Sequence, residues 1–82
     1  MSYNGWKNWA TWNVALWCDN EYAIYQDRMR SKPSTAKEVE EFVRNWFPAG
    51  TPDMKENDPY EQRDDVDWQE IADHWKDDYA EA

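Results

Sequence analysis

The groups with the most chemistry to offer in this 82-residue chain are the carboxylates near its C-terminus. Asp64, Asp65, Asp67, Glu70, Asp73, Asp77 and Asp78, with Glu81 beyond them, fall at spacings that bring acids three or four residues apart along one side of a helix. Such neighbours stand about 5–6 Å apart, comparable with successive phosphates along a nucleic-acid strand. A row of this kind fits a groove lined by lysine and arginine, where association is steered and salt-sensitive. The plainer reading is a solvated face that keeps a tryptophan-rich protein in solution. Asp77, Asp78 and Glu81 sit at the end of the helix where its dipole disfavours acids, so something other than helix stability is expected to have placed them there.

Other reactive residues have less support. His74 has Glu70 four residues before it and Asp78 four after, a spacing that could seat a divalent cation. Three ligands on one exposed helix make a weak site without a fourth, so a plain surface histidine is expected. Asp53, Glu56 and Asp58 lack the glycine and terminal glutamate of a twelve-residue calcium loop. Cys18 lies in an apolar stretch with no histidine nearby in sequence and reads as a packed core thiol. The paired carboxylates have no apolar pocket to tune one of them into an acid. There is no glycine-rich phosphate loop and no Gly-x-Ser-x-Gly turn. The expectation is a non-enzymatic binding protein with no catalytic residue, no metal and no cofactor.

A second candidate surface is aromatic. Trp6, Trp9 and Trp12 are spaced by three and Trp17 follows, more than one short helix usually buries in its own domain. Most are expected in the core, and any left open would be a hot spot for a partner or for a second copy of the chain. Asn13 falls among Trp9, Leu16 and Trp17 on the helical wheel, where its amide needs a partner if buried. Trp6, Trp9, Asn13 and Trp17 are therefore the alternative partner-binding set, belonging to an adaptor module, homodimeric in one version, whose acids serve only solubility.

Four helices would position these groups in an all-α single domain spanning residues 1–82, with a Trp-rich core and a long loop before the acidic C-terminal helix. The first runs from about Asn8, a capping residue, to Cys18 and is apolar nearly all round. Asp19 and Asn20 offer a break and a new cap for a second helix, Glu21 to about Ser31, whose aligned residues are Tyr22, Tyr25 and Met29, with Ile24 pointing elsewhere. Thr35 and Glu38 form a capping box, and Val39, Phe42, Val43, Trp46 and Phe47 follow the amphipathic template in full until Pro48. Glu40 is placed to pair with Arg44. Residues 49–63 read as a loop, and the fourth helix starts near Asp64 or Asp65 and ends near Tyr79, with a core stripe of Trp68, Ile71, Ala72, Trp75 and Tyr79.

Net charge narrows the partners. Residues 1–52 balance six acids with six bases, whereas residues 53–82 set twelve acids against Lys55, Arg63 and Lys76, which accounts for the whole net charge of −9. Nucleic acid and anionic membranes would repel such a chain, so a protein with a basic nucleic-acid-binding surface is the expected partner, with no direct nucleic acid and no membrane. One cysteine closes no internal disulfide, and the N-terminus has neither a basic leader nor an apolar run, which together point to a reducing cytoplasm. Nothing approaches the ~20 apolar residues of a membrane span.

The block Asn8-Trp9-Ala10-Thr11-Trp12-Asn13-Val14-Ala15-Leu16-Trp17, followed by Asn20-Glu21 and Tyr25, resembles a family of small uncharacterised proteins found in bacteriophages, cyanobacteria and plasmids. Residues Val66 to His74 resemble that family's second block. The chain departs from the pattern at Cys18, where an aliphatic residue is expected, and in a shorter link at Asp19-Asn20-Glu21. The resemblance implies a phage or mobile-element origin, hence a bacterial host cell, and carries no activity with it. Small acidic phage proteins are similar in kind to inhibitors of host restriction, CRISPR or transcription machinery, several of which imitate DNA.

Overall fold

A computed structural model of the chain describes residues 4–48, 50–53 and 66–81. Those residues form four α-helices: α1 (Trp9–Asn20), α2 (Tyr22–Ser31), α3 (Ala36–Trp46) and α4 (Trp68–Glu81). Helix α4 is the centre of the assembly, packing against α3 and α1, while α1 also packs on α2. The all-α domain expected from periodicity is what forms. Residues 54–63 of the expected loop, and Asp64 and Asp65, lie outside the described residues.

Local chemistry explains most boundaries. The Asn8 side chain caps α1 by accepting from the Thr11 backbone N–H at 2.9 Å. Helix α3 has the reciprocal capping box: Glu38 N–H donates to Thr35 Oγ1, and Glu38 Oε1 accepts from Thr35 N–H, each at 3.1 Å. First the Ser34 N–H and then the Thr35 N–H, both donating to its carboxylate, hold the Glu38 carboxyl below its ordinary pKa. Arg44 Nε reaches Glu40 at 2.8 Å one turn away, as the spacing predicts. After α3, Gly50 adopts φ 91 and donates its N–H to Phe47 O at 3.0 Å, a turn open to glycine that sends Thr51 and Asp53 towards α1.

Three boundaries or faces differ from expectation. Helix α1 continues through Asp19 and Asn20 instead of breaking there, and α2 begins at Tyr22 after Glu21, which makes no side-chain cap. Helix α4 begins at Trp68, because Asp67 Oδ1 accepts from the Glu70 N–H at 3.0 Å and so serves as its cap. Helix α2 is turned the other way round: Ile24 and Arg28 are buried, whereas Tyr22 is 70% and Tyr25 39% exposed. Residues 24 and 28 are one turn apart, and the aspartates around Arg28 make its burial tolerable, so the tyrosines are left facing water.

The core is aliphatic around one buried indole. Val14, Cys18, Val39, Val43, Ile71 and Ala72 surround Trp75, against which Phe42 packs edge-on with ring centroids 5.8 Å apart. Trp6, Trp9 and Trp68 form a half-buried collar on this core. Tryptophan is too large to be fully enclosed often, and a collar is how an 82-residue domain uses several of them.

Candidate functional site

The polar residues of the N-terminal motif are turned inward. Thr11 and Asn13 are completely buried on α1. The Thr11 hydroxyl donates to Asn8 Oδ1 at 2.7 Å and accepts from the Asp67 N–H at 2.8 Å, so one oxygen ties the cap of α1 to the cap of α4. Asn13 Nδ2 and Trp17 Nε1 both donate to Asp53 Oδ2, at 2.7 and 2.9 Å, and buried Thr51 donates its hydroxyl to Asn13 Oδ1. First the Asn13 amide and then the Trp17 indole hold the Asp53 carboxyl below its ordinary pKa. Helix α1 thus fastens residues 51–53 on one side of the undescribed stretch and residue 67 on the other. Of the alternative set, Asn13 and Trp17 belong to this network, while Trp6 and Trp9 are in the collar and Trp6 lies 4.2 Å from the His74 ring.

A second polar knot joins α1, α2 and α4. Arg28, 1% exposed, places Nη2 3.2 Å from Asp19 Oδ1 and Nη1 3.2 Å from Asp78 Oδ2. Its guanidinium lies 4.7 Å from the Trp75 ring centroid and 5.2 Å from that of Tyr25. Arg28 Nε has no acceptor, a cost of about 1–3 kcal/mol that the two ion pairs and the stacking must offset. Burial raises the Asp19 pKa, with Arg28 pulling the other way. No sequence pattern marked Arg28; its place one turn after Ile24 was the available sign.

The predicted acidic face therefore divides. Asp67 caps α4 and lies 4.0 Å from Lys7 Nζ, Glu70 accepts the Lys7 backbone N–H at 2.9 Å, and Asp78 holds Arg28. These three acids fix α4 in place. Asp73 and Asp77 are exposed one turn apart; Asp73 meets Gln69 at 2.9 Å and Lys76 at 3.4 Å, both on α4 itself. The Gln69 amide foremost holds the Asp73 carboxyl below its ordinary pKa. Asp64 and Asp65 lie outside the described residues.

The remaining groups define what the surface can do. Burial pushes the Cys18 thiol up to about 12, so at neutral pH it is a protonated core residue. Glu70 and Asp78 turn to Lys7 and Arg28 rather than to His74, and among the described residues no three His, Cys, Asp or Glu side chains gather as metal ligands. An open groove between α2 and α3 has acidic walls (Asp27, Glu38, Glu41) over Pro33 and Phe42. Beside it Trp46, 38% exposed, donates its indole N–H to Asp27 at 3.0 Å. Among the described residues no helix is long and apolar enough to cross a membrane. What this arrangement offers is a rigid, anionic, partly aromatic exterior. No curated protein and no solved structure matches the chain. One family model does, over residues 1–81, and the chain belongs to that family, described as a family of unknown function (DUF7249).

Proposed function

We propose that the protein acts without catalysis, by binding a protein whose basic surface normally holds nucleic acid and inhibiting it by occupying that surface. The contact is the outward side of α4, with Asp73 and Asp77 at its centre and Asp64 and Asp65 upstream in sequence. The observation that carries this reading is the division of labour on α4: Asp67, Glu70 and Asp78 tie the helix to Lys7 ahead of α1, to Thr11 on α1 and to Arg28 on α2, so the outward acids are presented at fixed spacing. Fixed charge at the spacing of a phosphate row loses little entropy on docking. A phage or mobile-element origin, and the cytoplasm of a bacterial host as the place of action, go with this reading.

An adaptor that binds through aromatic side chains is the second reading. The observation in its favour is that, among the described residues, Tyr22, Tyr25 and Trp46 are the exposed large aromatics, in place of the α1 tryptophans.

Immobilised protein should capture from bacterial lysate a nucleic-acid-binding partner that moderate salt releases and that added DNA displaces. A partner that resists salt and ignores DNA would exclude nucleic-acid mimicry and leave the aromatic reading.

A further inference from the structure

Of the exposed aromatics, Tyr25 meets part of the acidic charge at the Arg28 knot, whereas Trp46 stands apart beside the groove of α2 and α3. Asp19 and Asp78 each give one oxygen to Arg28 and remain half exposed, with side chains 53% and 50% exposed. Two carboxylates against one guanidinium leave a net negative charge there. The Tyr25 ring lies against the guanidinium, and Tyr22, one turn earlier on the same side of α2, is the most exposed large aromatic of the described residues at 70%. The Tyr22 hydroxyl accepts from Gln26 Nε2 at 3.0 Å, which steadies the ring while its faces stay open.

We infer that Tyr22, Tyr25, Asp19 and Asp78 form a docking patch for an arginine side chain on the protein's partner. The inference rests on the reading above that the partner is basic, and it names the residue type that is recognised. An incoming guanidinium would stack on the open tyrosine face and donate in its plane to the half-exposed carboxylates of Asp19 and Asp78. That repeats on the outside the combination of ring and carboxylate that Arg28 has within. Lysine satisfies only half of this chemistry, since an ammonium is a compact, strongly hydrated charge with no plane to stack. Arginine should therefore be preferred over lysine here, whereas a row of exposed carboxylates alone would take both.

The test is an NMR titration of the full-length protein, isotope-labelled, with oligo-arginine and oligo-lysine peptides of equal length, repeated on Tyr22→Ala and on Asp73→Asn/Asp77→Asn. The patch predicts shifts at the end of α1, along α2 and at the end of α4, with arginine favoured roughly three- to tenfold. Tyr22→Ala, at an exposed position, should erase that preference, and the α4 double variant should keep it. Equal affinity for the two peptides, with shifts confined to the outward side of α4 and no effect of Tyr22→Ala, would overturn the patch and keep the acidic-face reading. Absence of binding by either peptide would overturn both.

Discussion

Helices α1 and α4 both carry polar side chains at regular spacing, and they use them in opposite directions. On α1, Thr11 and Asn13 are fully buried and every polar atom is engaged, holding Asn8, Thr51, Asp53 and the backbone of Asp67. On α4, Asp73 and Asp77 face water. A dense motif can thus be architecture throughout, while the acidic stretch leaves Asp73 and Asp77 facing water, where the proposed partner would bind. Between the two helices stands Arg28, which takes one aspartate from each.

Substitutions break this contrast in order of their cost. Arg28→Ala removes two ion pairs, the guanidinium over Trp75 and the packing of a buried stem, and should lower unfolding free energy by about 3 kcal/mol in chemical denaturation. Arg28→Met separates the two causes. The half-exposed aspartates can be hydrated, so the variant that keeps the stem should lose less than half as much, and an equal loss would show that the ion pairs dominate. Asn13→Ala comes next, at about 2 kcal/mol, because it strands the buried Thr51 hydroxyl as well as releasing Asp53.

Acid should reach the same network more gently. The Asp53 pKa is depressed in the folded state, so its bonds contribute in full above the ordinary carboxylate range, near pH 4, and are lost as pH falls through the lower folded value. Asp19 has the opposite sign: its raised pKa means that ionisation disfavours the fold, a penalty that acid relieves. Acidification should therefore neutralise Asp19 and loosen its pair with Arg28 first, and only at lower pH protonate Asp53 and release the Trp17 indole N–H, seen as loss of its downfield NMR shift. Asp53→Asn should abolish that acid-dependent step.

How much of this was legible depended on how local the cause was. Helix α3 was readable except at Trp46, since the Thr35–Glu38 box, the Val39–Phe42–Val43 part of the stripe and Pro48 all act within a few residues, whereas Trp46, expected in the same stripe, is exposed and bonded to Asp27. The Asn8 cap and the α4 stripe were readable for the same reason. The face of α2 was not, because Tyr22, Tyr25 and Met29 scored as the apolar side and the partners that bury Arg28 come from residues 19 and 78. The start of α4 was misplaced because any of several aspartates could cap it, and Thr11, 56 residues away, favours Asp67 by bonding its backbone. Asn13 was recognised as needing a partner, but Asp53 and Thr51, some forty residues on, were not readable as those partners.

On the proposed reading Asp73 and Asp77 serve binding and leave the fold untouched. The direct measurement is paired melting and partner capture on Asp73→Lys/Asp77→Lys, leaving Asp78 in place because a lysine there would face Arg28. The account predicts stability within about 0.5 kcal/mol of wild type and loss of the salt-sensitive partner. Unchanged capture by a variant that melts normally would contradict it.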